Sequence, residues 1–281
     1  MQAFSRVEAL RAQLAAWRRE GARIALVPTM GNLHEGHLEL VRQAAGEAER
    51  VVVSIFVNPT QFAPGEDFAS YPRTPDADRQ ALAREGVDAV FLPVEAEVYP
   101  LGRAAATRVS IPALMDDLCG RSRPGHFEGV ATVVLRLLNM VGPDVAVFGQ
   151  KDYQQQLVIR HLVRDLNIPT RILVAPTSRE DDGLARSSRN QYLEPAERAQ
   201  APALYAALRA VADGLAEGGR SPASLCAAAV ATLRDAGFEP EYVELRDAAT
   251  LAPADPARRP LVVLAAARLG RARLIDNLLI A

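Results

Sequence analysis

Of the 32 basic residues in this 281-residue chain all but one are arginine, and the exception, Lys151, sits where the apolar run Val145 to Phe148 breaks off at Gly149. A sequence that writes its cations as arginine has a use for a compact ammonium at that point, and phosphate chemistry is the first candidate. The alternative is an exposed lysine at a strand end. There are 4 histidines, and His34, His37 and His126 lie beside glycines in the N-terminal half. Within Pro28-Thr29-Met30-Gly31-Asn32-Leu33-His34-Glu35-Gly36-His37-Leu38, His34 and His37 are spaced to share one face once a helix begins. Gly36 leaves that face bare between them, and a helix N-terminus adds partial positive charge and free N–H groups for an anion. Such donors could hold a triphosphate and stabilise departing pyrophosphate. Two solvated histidines are one alternative, and a zinc site drawn from His34, His37, His126 and Cys119 is another.

The elements that would position these groups alternate between strand and helix. Val7, Leu10, Leu14 and Trp17 mark one face of a first helix with Ser5 as its cap, stopped by Gly21. Ile24 to Val27 reads as a strand, followed by a helix through Leu38, Leu40 and Val41, then the β-branched run Val51 to Val57 closed by Asn58-Pro59. Ala89 to Leu92, Val145 to Phe148 and Arg171 to Ala175 are further strands, with helices near Pro75 to Glu85, Gly129 to Val141 and Tyr153 to Leu166. This alternation predicts an α/β fold built on a doubly wound parallel sheet, in which ligands bind beyond the carboxyl ends of the strands. After Arg179-Glu180-Asp181-Asp182-Gly183 the texture changes to alanine-rich helices, Pro195 to Leu215 and Pro222 to Ala236. Three β-like runs follow, Tyr242 to Leu245, Leu261 to Ala267 and Arg273 to Asn277, with a loop from Ala252 to Pro260. The expectation is a larger domain over 1–176 and a smaller α+β domain over 177–281, a single large α/β unit being the alternative.

Composition narrows the class. An apolar fraction of 49% with 23% charge describes a globular chain, and a formal charge of −2 gives no electrostatic case for nucleic-acid binding. No run reaches the roughly 18 apolar residues of a membrane span. Cys119 and Cys226 lack metal-ligand spacing and read as buried, reduced thiols. With no signal-peptide pattern at the N-terminus, the expected compartment is the cytoplasm. No GxGxxG follows a strand and no GxxxxGK[ST] occurs, which removes support for a nicotinamide oxidoreductase and for a P-loop ATPase.

The HxGH of His34 to His37 after a strand resembles the signature of the HIGH-type nucleotidyl transferases and ligases. PTMGNLHEGHLELV, VNPTQF, RPGHFEGVATVV, GQKDYQQ and DGLARSSRN, in that order over residues 24 to about 193, narrow this resemblance to the pantothenate synthetase family, the pantoate:β-alanine ligases. The resemblance implies a Rossmann-like fold and a two-step reaction. Pantoate reacts with ATP to give pantoyl adenylate and pyrophosphate, then the amine of β-alanine displaces AMP. It implies that Met30, Gly31, Asn32, Leu33, His34, Glu35, Gly36 and His37 cradle ATP, with His37 as proton donor and His34 and Lys151 also catalytic. It assigns Gly149, Gln150, Lys151 and Asp152 to the nucleotide, with Ser178, Arg186, Ser187, Ser188 and Arg189 as a second ATP segment. Gln61 and Gln155 match the pantoate-binding glutamines, Gln61 also meeting β-alanine. Arg123 and His126 fall near the reacting centre without an individual role. Arg186, Gln150, Asn32 and Ser178 depart from the residues common in the family.

The resemblance also implies a homodimer, a smaller domain acting as a lid, and Mg2+ carried mainly by the phosphates of ATP. Asp76 and Asp78 are weak metal candidates against a reading as solvated carboxylates at a helix start. The small-molecule partners implied are ATP, pantoate and β-alanine, with neither nucleic acid nor membrane. An adenylyltransferase that keeps the nucleotide in its product, and a nucleotide-binding module without turnover, are the rival functions.

Overall fold

The computed structural model describes every residue of the chain except Pro64 and Pro256. The described residues separate into two compact units, one comprising Met1–Gly149 and Val158–Ala175, the other Gln150–Leu157 and Pro176–Ala281.

In the first unit β1 (Gln2–Phe4), β2 (Ile24–Thr29), β3 (Arg50–Ile55), β4 (Ala89–Phe91), β5 (Val145–Gly149) and β6 (Arg171–Ala175) form a parallel sheet in the order β1-β4-β3-β2-β5-β6. From β2 the chain winds outward through β3 and β4, then crosses back to build β5 and β6 on the other side. The reversal lies between β2 and β5, the place where doubly wound sheets open a ligand crevice. The helices are α1 (Val7–Arg19), α2 (Glu35–Glu47), α3 (Pro75–Arg84), the short α4 (Glu95–Val98), α5 (Pro112–Met115) and α6 (Cys119–Ser122), then α7 (His126–Val141) and α8 (Tyr153–Asp165), the last belonging to this unit from Val158 onward.

Alternation within the strands explains the two layers. Ile24, Leu26, Val52, Ala146 and Phe148 cluster with Leu10, Leu14 and Trp17 of α1 and with Val130, Val134 and Leu137 of α7. Their neighbours Ala25, Val27, Val51, Val53, Val145 and Val147 cluster instead with Val41 and Ala44 of α2 and Leu82 of α3. Both faces of the sheet are therefore buried, which is why the strands read as unbroken apolar runs. Arginines of α1 fasten α7: Arg11 donates to the Asn139 carbonyl (2.9 Å) and Arg18 to that of Val141 (2.9 Å), where Gly142 ends the helix in a left-handed conformation (φ 58°).

Several local expectations change. Ser5 does not cap α1; the cap position falls on Arg6, and the Val7 amide donates to the Glu97 carboxylate of α4 (2.8 Å), a partner 90 residues away. Strand β3 ends at Ile55 rather than Val57, and α7 begins at His126 rather than Gly129, behind Gly125 at φ 81°. Strand β1 has no counterpart among the expected elements. It is three residues long and is held at the sheet edge by pairing with β4.

In the second unit α9 (Pro195–Gln200), α10 (Ala203–Glu217) and α11 (Pro222–Asp235) precede the antiparallel sheet of β7 (Glu239–Asp247), β8 (Leu261–Leu269) and β9 (Ala272–Ile280). Leu204, Leu208, Val211, Leu225 and Leu233 of the helices pack with Val243, Leu245, Val263, Ala265 and Leu274 of the strands. The helix expected over Pro195 to Leu215 is two helices, interrupted at Pro202, whose ring supplies no N–H to a continuing ladder. The expected loop from Ala252 to Pro260 contains no helix or strand element among its described residues, Pro256 lying outside them. No helix among the described residues is long and apolar enough to cross a membrane.

One close approach in the first unit ties fold to site. A Cβ placed on Gly129 of α7 would lie 2.4 Å from the Thr60 carbonyl oxygen and 2.7 Å from the Gln61 nitrogen, so only glycine lets α7 press on that turn. Gly129→Ala is expected to lower stability by about 1–3 kcal/mol, the cost of overpacking. Gly46→Ala on α2, with nothing within 4 Å of the added methyl, is expected to be neutral or to gain up to about 1 kcal/mol. Equal melting temperatures for the two variants would show that the Thr60 turn yields to the methyl.

Candidate active site

The segment leaving β2 is shaped before it reaches the histidines. Gly31 (φ 79°) and Asn32 (φ 50°) both take left-handed backbone, a conformation that glycine and asparagine tolerate best. A Cβ on Gly31 would meet Asp78 Oδ2 and Ile55 Cγ2, each at 2.9 Å. This turn aims the amides of Asn32 and Leu33 at one carboxylate: Asn32 N–H donates to Asp78 Oδ2 (3.0 Å) and Leu33 N–H to Oδ1 (2.8 Å), with the Thr74 hydroxyl adding a third bond (3.1 Å). Asp78 is 3% exposed. The solvated reading fails for it, and its oxygens are committed to the loop. Asp76 is exposed, as expected. Two amides of the loop that the sequence had left open to a phosphate are already engaged by the protein's own anion.

His34 occupies the N-cap position of α2 in extended conformation, and its backbone N–H donates to His37 Nδ1 (3.3 Å). Because Nδ1 accepts, the proton of neutral His37 resides on Nε2, so a backbone amide selects the donating tautomer. The two rings stack at 4.1 Å between centroids, tilted by 39°, which places both imidazoles at one end of α2. Glu35, one of the implied nucleotide contacts, pairs with Arg42 (2.5 Å).

Beyond β3 the turn Asn58-Pro59-Thr60-Gln61 is built on Asn58, which is 1% exposed. Its Oδ1 accepts from the Tyr99 hydroxyl (2.7 Å) and from Thr60 N–H (3.4 Å), while its Nδ2 donates to the Gly129 carbonyl (3.2 Å) and to Gln61 Oε1 (3.1 Å). Burial pushes the Tyr99 hydroxyl up from its ordinary pKa, keeping it a proton-bearing donor. With Oε1 engaged by Asn58, Gln61 presents its Nε2 donors, one of them directed at Met30 Sδ (3.2 Å). The Gln61 backbone is held as well. His126 Nδ1–H donates to its carbonyl (2.7 Å), and His126 Nε2 faces Arg123 Nη1 (2.9 Å). Arg123 grips Glu66 with two bonds of 2.7 Å. Burial works to raise the Glu66 carboxyl, but the paired guanidinium outweighs it and holds the group below the usual carboxylate range. The zinc alternative finds no geometry: both ring nitrogens of His126 are engaged, and no group of three or more potential ligands gathers among the described residues.

The second unit carries its own set. Lys151, Ser187, Asn190 and Asp276 line one small cleft floored by Leu184, Leu204 and Leu274. Lys151 Nζ stands 3.8 Å from Asp152 Oδ2. Residues 178–186 fold back on themselves: Arg186 N–H donates to the Ser178 carbonyl (2.9 Å) and Glu180 N–H to that of Leu184 (2.8 Å). Arg186 is turned to Glu180 (2.8 Å). Ser187 caps the short 3-10 turn Ser188–Tyr192 by accepting from Arg189 N–H (3.3 Å), which leaves its own hydroxyl proton to give. Gln155 is half-buried in the first turn of α8, and Gly149, which closes β5 in the first unit, has open space where a Cβ would stand.

Sequence reasoning proposes the histidine pair, Gln61 and Lys151 but does not name the residues that hold them. Asp78 reads as a weak metal candidate or a solvated carboxylate at a helix start, and Asn58 as the end of a strand. Tyr99, Glu66, Asp276 and Asn277 carry no local signal.

Comparison with known proteins follows this geometry. Residues 2–279 match the family described as pantoate-beta-alanine ligase. The chain is 58% identical over 273 residues to a pantothenate synthetase of Paramagnetospirillum magneticum, covering 97% of this chain and 95% of that protein. Among solved structures it is similar to the Thermus thermophilus pantothenate synthetase (TM-score 0.92, 46% identity, 99% of each chain). It is also similar to the Francisella tularensis pantoate-beta-alanine ligase complexed with beta-gamma ATP and beta-alanine (TM-score 0.84, 34% identity, 99% of this chain and 97% of that one). With a match across nearly its whole length, the chain belongs to the pantoate-beta-alanine ligase family.

Proposed function

We propose that this chain condenses pantoate with β-alanine at the expense of ATP, passing through pantoyl adenylate and releasing pyrophosphate and AMP. The observation that carries the reading is the family match over residues 2–279, joined to a histidine pair in which the His37 tautomer is set for donation. In the first step a carboxylate oxygen of pantoate attacks the α-phosphorus, and the bond to the bridging oxygen breaks as pyrophosphate departs with the electron pair. His37 Nε2–H and the neighbouring His34 ring supply donors for the charge that develops, and the N-terminus of α2 adds its dipole. Lys151 meets the phosphates as a point charge, and Ser187, Ser188 and Arg189 add hydroxyl and guanidinium donors. Met30 to Gly36, Gly149, Gln150, Asp152, Ser178 and Arg186 complete the proposed nucleotide contacts.

Gln61 and Gln155 are assigned to pantoate. With Gln61 Oε1 taken by Asn58, donation to an oxygen of the acid is what that amide offers, one lone pair remaining for the amine of β-alanine. In the second step that amine attacks the acyl carbon, loses a proton and expels AMP. Mg2+ enters as part of the nucleotide substrate, since Asp78 is spent on the loop. The same family resemblance is our ground for reading the protein as a homodimer, and the reading as cytoplasmic rests on the reduced-thiol pattern of Cys119 and Cys226.

The direct test is exchange of labelled pyrophosphate into ATP without β-alanine. Exchange that requires pantoate is expected, whereas turnover giving a nucleotidylated product and no AMP would establish an adenylyltransferase instead. Lys151→Arg is expected to lose on the order of a hundredfold in this exchange, the scale for removing one well-placed charge stabiliser; near-normal exchange would remove Lys151 from the phosphates. Asp78→Asn replaces an acceptor pair that holds two amides with a group that can satisfy only one of them. It is expected to raise the KM for ATP about tenfold or more, with a smaller change for β-alanine. Identical increases for both substrates would mean that the loop held by Asp78 does not serve the nucleotide.

A further inference from the structure

Two adjacent polar residues are buried side by side in β9, Asp276 at 3% and Asn277 at 2% exposure, in a strand that otherwise contributes apolar side chains to the core of the second unit. Burying such groups is costly unless each is bonded, and here each is. Arg179 holds the Asp276 carboxylate with two bonds (2.6 and 2.9 Å) and is itself fixed, stacked 3.6 Å over the Tyr205 ring and bonded to the Gly183 carbonyl (3.0 Å). Asp276 Oδ1 in turn accepts from Asn277 N–H (2.7 Å). What this chain of bonds holds in place is the Asn277 amide. Its Nδ2 donates to the carbonyls of Gln150 (3.0 Å) and Lys151 (2.8 Å), 127 and 126 residues away, and Gln150 Nε2 returns a bond to its Oδ1 (3.4 Å).

Gln150 and Lys151 lie past the end of β5 and ahead of the first helical bond of α8, made by Gln156 N–H to the Asp152 carbonyl (3.0 Å). Their carbonyls therefore have neither sheet nor helix to satisfy them, and one asparagine side chain takes both. A lysine side chain has four rotatable bonds and about 2 kcal/mol of rotamer entropy, so where its ammonium can reach depends on how firmly its backbone is held. Asp276 lines the same cleft as Lys151.

We propose that Asn277 is a positioning residue for Lys151. It clamps the Gln150–Lys151 turn through two carbonyls, and the Arg179–Asp276 pair holds the clamp in register. The proposal rests on the assignment of Lys151 to the ATP phosphates and adds to it the group that places the ammonium.

Asn277→Ala, Lys151→Ala and the double variant test it, with two readouts: pantoate-dependent pyrophosphate exchange, and the conversion of supplied pantoyl adenylate with β-alanine to product. Asn277→Ser, which keeps one donor, is measured beside them so that an insoluble alanine variant does not end the experiment. Asn277→Ala is expected to lose about 10- to 100-fold in exchange, with the serine variant between it and the parent, and to change the second half-reaction by less than about threefold. In the Lys151→Ala background its effect on exchange is expected to shrink to about twofold or less, because a residue acting through Lys151 has nothing left to position. An undiminished effect in that background, or equal losses in both half-reactions, would overturn the proposal and leave Asn277 as a support of the fold alone. Normal exchange by Lys151→Ala would instead sink the assignment of Lys151 itself, and the clamp's catalytic purpose with it.

Discussion

A parallel sheet covered on both faces leaves little place along the middle of its strands for a charged or hydrogen-bonding side chain, and that constraint organises the first unit. Alternate residues of β2, β3 and β5 go to opposite apolar clusters, so each strand is hydrophobic along its middle, and polar residues such as Ser54 of β3 and Thr29 of β2 come near the strand ends. Thr29 marks the change in β2: 9% exposed, it donates to the Ser54 carbonyl (2.8 Å) and accepts from Gly31 N–H (3.3 Å), the first hydrogen bonds of the segment that leads to the histidines. In such sheets ligands bind beyond the carboxyl ends of the strands, where winding reverses, and here that reversal lies between β2 and β5.

A loop that leaves such a sheet still carries backbone groups that need partners, and leaving one buried and unmet costs about 1–3 kcal/mol. Three short polar side chains meet that need in this chain. Asp78 takes the amides of Asn32 and Leu33, Asn58 takes the Gly129 carbonyl and the Thr60 amide, and Asn277 takes the carbonyls of Gln150 and Lys151. Each of these bonds also orients a group proposed for catalysis or binding: the histidine-bearing turn, the Gln61 amide and the lone ammonium. Satisfying the backbone and holding the proposed site groups in place are thus one act, the kind of preorganisation that lowers the cost of meeting a charged ligand.

The same arrangement decides what could be read from sequence. The sheet, its main helices and the order of the motif segments were legible because hydrophobic period and turn residues are local signals. The left-handed Gly31-Asn32 turn was half legible, since a glycine followed by asparagine is the pair that tolerates it. The braces were not, because the information lies in pairing: Asp78 is 46 residues from Asn32, and Asn277 is 126 from Lys151. Ser5 and Pro195 to Leu215 failed for related reasons. A local capping signal lost to a carboxylate brought by α4, and an alanine-rich pattern ran across Pro202 without registering it as a break.

The scarcity of lysine acquires a physical meaning once the arginines are located. Arg11 and Arg18 bond the last carbonyls of α7, Arg123 grips Glu66, Arg179 grips Asp276, and Arg186 turns to Glu180. In each case a planar, multi-donor cation is used to fix one piece of backbone or one carboxylate in place. A guanidinium at position 151, set beside Asp276 and near the Gln150 and Lys151 carbonyls, would present the same fork to the same acceptors and be drawn into the scaffold. The ammonium has no fork. Its ion pair with Asp152 is a loose one at 3.8 Å, and a cation held that loosely can exchange protein partners for the phosphate oxygens we propose it meets.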